Sequence, residues 1–242
     1  MVRDHQHNSV IHLQGDQNPM TATDKPSQQQ PENPSASFLE KLKQNYELLT
    51  LPLPFILWYI TFILSPFGFW PTLALSTSIL LVVSVPRIRK IKFQPSIRGF
   101  IIGAALGLAL FAFFYFGAKI ANSIPGFPSQ VSAVYSFRGN FPLAAIAVLL
   151  LFPIGPGEAT YWQGIILRRL DRRLKPWAAT ILTSFLYMMI HLPTFNPSLM
   201  LVAFIVGLAW SFTFNKLKNN LFPIMVSHII FDEFAFVLFM IG

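Results

Sequence analysis

From about residue 51 to the C-terminus the chain is a succession of apolar runs, roughly 51–65, 69–85, 99–121, 141–170, 177–192, 199–214 and 222–241. An α-helix of about 20 apolar residues crosses the ~30 Å hydrocarbon core of a bilayer, and it satisfies its own backbone hydrogen bonds there. The runs are separated by segments too short for anything but turns and loops. The expectation is an all-α, polytopic membrane helical bundle of about seven transmembrane spans. Ser65-Pro66-Phe67-Gly68 reads as a tight hairpin turn between the first two. Gly155-Pro156-Gly157, inside the long fourth run, is expected to kink or break its helix.

Composition narrows the alternatives. Hydrophobic residues make up 53% of the chain and charged residues 12%, about half the share usual in a soluble domain. With 25 Phe and 5 Trp there is more apolar surface than a soluble fold of this size can hide. Cysteine is absent, which excludes disulfides and thiolate zinc sites. The net charge of +8 does not point to nucleic acid, because the basic residues gather in short loops between apolar runs. Arg87, Arg89, Lys90, Lys92 and Arg98 lie in 86–98, five more from Arg168 to Lys175, and Lys216 and Lys218 in 215–220. The loops at 122–140 and 193–198 hold only Arg138. With seven spans and a cytoplasmic N-terminus, every basic loop falls on the cytoplasmic side. The chain is thus expected to be an integral multi-pass protein, of the plasma or inner membrane if bacterial. The bilayer is its partner, and nucleic acid is not.

Residues 1–37, rich in Gln, Asn, Pro and Ser, read as a disordered polar tail without the apolar core of a signal peptide. Nothing around His5, His7 and His12 would hold a metal geometry. Residues 38–50 read as an amphipathic helix at the membrane surface, 51–139 as N-terminal transmembrane helices, and 140–242 as the region that carries the chemistry.

After residue 50 the acidic residues are Glu158, Asp171, Asp232 and Glu233, and the histidines are His191 and His228. Asp171 sits among arginines in a loop, where solvation accounts for it. The others fall inside apolar runs, where an ionisable group is costly and usually marks function. At ~1.5 Å per residue, Glu158 lies about 18 Å in from the cytoplasmic ends, His191 about 22 Å, Asp232 about 16 Å and His228 about 10 Å. These four can share one layer of the bilayer. His228 and Asp232, four apart, lie on one helix face. A carboxylate and a histidine converging in a dry cavity are the usual means of activating a water. A polar staple between helices is the plainer reading of His228 with Asp232, and a core histidine that of His191. Tyr161, Trp162 and Phe185 read most simply as packing; Tyr187, one turn before His191, could hydrogen-bond in the cavity, with core packing the plainer reading, and Glu233 is assigned no role.

Three segments resemble the CPBP family of intramembrane endopeptidases, which includes type II CAAX prenyl proteases and bacteriocin-processing or self-immunity proteins. They are Glu158-Ala-Thr-Tyr-Trp-Gln163-Gly164, Tyr187-Met-Met-Ile-His191 and His228-Ile-Ile-Phe-Asp232, in the family's order. The resemblance covers roughly 140–242. It implies that Glu158 and His191 activate a water, that His228 and Asp232 support the oxyanion, and that the substrate is a membrane-associated, prenylated or leader-bearing protein or peptide. A Glu and two His could hold zinc, but the family's glutamate mechanism implies no metal and no other cofactor. Ala159 stands where the family has a second Glu, and Gln163 where it has Arg; their joint loss leaves no buried charge without a partner. An ionised Asp232 would repel an oxyanion, so it would act protonated or by orienting His228. Two other readings compete: an inactive family member that binds a membrane partner, as in immunity, and a proton-coupled transporter relaying through Glu158, His191 and Asp232.

Overall fold

The computed structural model describes residue 40 and residues 45–239. The chain divides into two units, Met1–Glu40 and Lys41–Gly242, and everything below concerns the second. The polar tail expected over 1–37, with its three histidines, lies outside the described residues, as do 38–39 and 41–44 of the expected surface helix; its residues 45–50 are the start of the first membrane helix and not a separate surface element.

Eight helices follow one another in the described residues. α1 spans Asn45–Leu64 and α2 Phe69–Ile88. Between them Ser65 takes a left-handed φ of 41° and Gly68 a φ of 81°, and the Gly68 N–H donates to the Ser65 carbonyl at 2.9 Å, which closes the expected hairpin. α3 is Ile97–Ala121, started by the Ser96 hydroxyl, which accepts from the Gly99 N–H. α4 is a ten-residue helix, Phe127–Ser136, in a stretch that the sequence reads as loop. It is too short and too polar to register as an apolar run. α5 spans Leu143–Asp171, α6 Pro176–Met189 and α7 Pro197–Lys216. α8 is Leu221–Asp232, continued by a wider π-helical stretch, Glu233–Leu238.

Helices α1, α2, α3, α5 and α7 are long and apolar enough to cross a membrane. The two remaining runs form α6, of 14 residues, and α8, of 12 residues before its π-helical end. The exterior is apolar: Val82, Ile101, Phe113, Phe116, Ile120 and Phe212 are all exposed. Such a surface suits lipid and not water.

α5 is the axis of the bundle; every residue from Gly157 to Leu167 is buried. It does not break at Gly155-Pro156-Gly157. The helix stays right-handed throughout and absorbs Pro153 and Pro156 with π-helical stretches at Leu150–Ile154 and Thr160–Leu167. The glycines serve close approach instead: a Cβ on Gly157 would come within 2.8 Å of the Thr77 carbonyl of α2.

α3 and α8 lie against each other along a row of glycines spaced by four. A Cβ on Gly103 would strike Val226 Cβ at 2.8 Å and the Pro223 carbonyl closer still, and one on Gly107 would sit 2.7 Å from the Ser227 carbonyl. Small residues at this spacing let two membrane helices touch backbone to backbone. The starts of the two helices are also tied. Leu221 N–H donates to the Lys92 carbonyl at 2.9 Å, and the Asn220 side chain exchanges hydrogen bonds with the Gln94 backbone at 2.9 and 3.0 Å. This seam fixes the rotation of α8, and so the direction in which His228 and Asp232 point.

Candidate active site

Glu158, His191, His228 and Asp232 all line one cavity of about 100 Å³, enough for several waters. Their relative exposures are 6, 8, 2 and 8%, so the polar atoms meet there and not at the surface. α5 supplies Glu158, the turn just after α6 supplies His191, and α8 carries the other two one turn apart.

The cluster is a network. The Tyr187 hydroxyl donates to Glu158 Oε2 at 2.6 Å. His228 Nε2 lies 3.3 Å from Asp232 Oδ2 and 4.0 Å from the same Glu158 Oε2. That nitrogen, facing two carboxylates, is placed to be a donor. No lysine or arginine pairs with Glu158 among the described residues. His191 Nδ1 lies 2.9 Å from the Tyr187 carbonyl. A carbonyl only accepts, so Nδ1 carries the proton and Nε2 is left as the acceptor.

Aromatic rings hold these groups in place. Trp210 of α7 stacks on the His228 ring with centroids 4.0 Å apart and planes 19° from parallel. Its own indole N–H is anchored on Ser227 Oγ at 3.0 Å. Tyr187 meets His191 edge-on at 5.3 Å, and Phe62 lies 5.8 Å from the same histidine. At the end of the cavity away from the arginine-rich loops, Phe137 stacks on Phe69 at 4.6 Å and abuts Phe62 at 5.4 Å. α4 therefore brings Val134, and the turn after it Phe137, to the cavity wall.

Two departures from the sequence reading stand out. Tyr187 is more than packing: its hydroxyl is the shortest polar contact of the site. The signal was present, since a tyrosine four residues before His191 must share its helix face. Trp210 was not singled out at all, because an apolar aromatic on a neighbouring span carries no sign of what it stacks on. Phe185 is 46% exposed and faces outward, while Trp162 is buried as expected. Glu233 does not line the cavity, and Asp171 accepts from the Asn215 amide at 3.4 Å. Ala159 is fully buried and Gln163 is 2% exposed, its amide 3.5 Å from Ser211 Oγ, so the positions that depart from the family motif are sealed in packing. Among the described residues no group of three or more His, Cys, Asp or Glu is arranged to hold a metal ion.

Residues 139–234 match the family model of the Rce1-like type II CAAX prenyl endopeptidases. That match supports the CPBP/CAAX protease family, which the three motifs resemble. No curated protein and no solved structure gives a match.

Proposed function

We propose that this chain is an active intramembrane endopeptidase that hydrolyses a peptide bond of a membrane-associated protein or peptide, with Glu158 as general base. What supports this most is the state of Glu158: buried, bordering a cavity with room for water, and held through one oxygen by Tyr187. A water between Glu158 and His191 Nε2 gives its proton to the carboxylate as its oxygen attacks the scissile carbonyl carbon. The His228 Nε2–H, which faces Asp232 at rest, is shared in a bifurcated hydrogen bond with the oxygen that becomes negative. Asp232, 3.3 Å away, orients that ring and does not touch the oxyanion itself. The protonated Glu158 then gives its proton to the leaving amine as the carbon–nitrogen bond breaks. No step needs a metal.

The test is cleavage of a panel of quenched peptides and co-expressed membrane proteins, prenylated and not, by wild type, Glu158→Gln and Glu158→Ala, with bound metal measured on the same samples. Cleavage by wild type alone supports the reading. Cleavage that survives in both variants removes Glu158 as base, and zinc that tracks with activity removes the metal-free step. Folded wild type that cuts nothing in the panel shifts weight to a binding role, with Ala159 and Gln163 the marks of lost catalysis.

A further inference from the structure

At the opposite end of α5 from the aromatic rim, cations from two helix ends converge. The end of α2 brings Arg87 and Lys90, and the end of α5 brings Arg168, Arg169 and Arg172, around a notch that Glu47 of α1 also lines. Arg173 joins them, since it and Arg169 donate to the same Asn45 Oδ1 at 3.1 and 3.0 Å. Acceptors are few. Glu47 Oε1 takes the Arg87 Nε–H at 2.9 Å, and Arg168 donates to the Lys90 carbonyl. Asp171, the nearest other acid in sequence, is turned to Asn215 of α7. Among the described residues the exposed heads of Lys90 and Arg172 have no partner, and Arg169 Nε, like Glu47 Oε2, is buried without one. Each guanidinium offers five N–H donors, so the notch carries far more donors and positive charge than the protein itself satisfies.

The positive-inside tendency accounts for basic residues in a loop, but not for their convergence from separate helices on one notch. We propose that this notch binds the phosphate of an anionic phospholipid headgroup from the leaflet on that side. A phosphodiester offers the acceptors and the charge that are missing, and arginines can grip it with paired hydrogen bonds. The lipid is favoured over a free phosphate by position. The notch sits where three apolar helices end, and Ile165 forms part of its wall. An acyl chain can therefore run down the apolar exterior while the headgroup stays among the arginines. Basic pockets between membrane helices bind acidic headgroups in this way.

The experiment is native mass spectrometry of the full chain, released from nanodiscs of phosphatidylcholine with a minor fraction of phosphatidylglycerol. The retained phosphatidylglycerol is to be enriched about tenfold or more over its share of the nanodisc. Arg168→Gln/Arg172→Gln is to lose that enrichment, and Arg98→Gln, on the lead turn of α3, is to keep it. Arg172→Gln alone removes an exposed side chain without a partner, so it carries the test if the double variant does not fold, and it is to lose part of the enrichment. Equal retention in wild type and the arginine variants overturns the proposal, as does equal loss in Arg98→Gln. Displacement of the lipid by millimolar inorganic phosphate overturns the lipid assignment in favour of a free-phosphate site. None of these readouts involves cleavage, so the notch stands or falls apart from the peptidase.

Discussion

α8 has two working faces, and they obey opposite rules. Toward α3 it presents Pro223, Val226 and Ser227 to Gly103 and Gly107, with contacts so close that one added carbon has nowhere to go. Toward α5 and α6 it presents His228 and Asp232 to a cavity. The first face is held by backbone contact and dispersion, which tolerate no change of volume. The second is held by a few directed polar contacts, which tolerate no change of donor or acceptor. The difference shows how a short helix can carry chemistry: the tight face sets the position that the open face uses. α6 is gripped in a similar way: a Cβ on Gly207 of α7 would come within 3.2 Å of Ser184 and 3.3 Å of the Tyr187 ring, whose hydroxyl reaches Glu158.

The comparison can be broken from either side. The largest effect is expected on the open face of the site. Glu158→Gln is to lower the turnover number by about 10²–10⁴-fold, the usual worth of a general base, while the melting temperature in detergent hardly moves; a parallel loss of folded protein would make Glu158 structural. On the tight face, Gly107→Val is to reduce folded yield and melting temperature, with overpacking of about 1–3 kcal/mol. Activity per folded molecule falls only as α8 is displaced, and a stable, fully active Gly107→Val would remove the seam from the argument. Tyr187→Phe deletes one hydrogen bond to a carboxyl, about 1.5–3 kcal/mol, and is to cut the turnover number by about ten- to a hundredfold with the Michaelis constant little changed. If the Michaelis constant alone rises, Tyr187 binds substrate and does not position Glu158. The smallest effect is expected at Glu233→Gln, next to Asp232 but off the cavity: assayed side by side with Asp232→Asn, it is to leave cleavage near wild type.

The sequence by itself determined that the chain is a helical membrane bundle, because apolar runs without water have only one economical way to satisfy their backbone. It also determined which residues were out of place. Glu158, His191, His228 and Asp232 stand out because an ionisable group in hydrocarbon is costly, and that cost depends on composition and depth alone. Which groups touch was decided only by the tertiary structure. Helix rotation, set by Gly103 and Gly107, aims His228 at Glu158 and seats it under Trp210; a glycine's spacing shows that two helices can meet but not which two. The π-helical stretches that carry α5 past Pro153 and Pro156 were likewise invisible, since the local rule for proline and glycine predicts a break and neighbouring helices override it. α4, polar and short, gains its helix by packing: Tyr135 donates to the Ala235 carbonyl at 3.0 Å, and Gln130 accepts from Ser198 of α7 at 2.7 Å. Periodicity and composition are properties of a segment, whereas a contact is a property of two segments, and that is why the candidate residues could be picked from the chain and their arrangement could not.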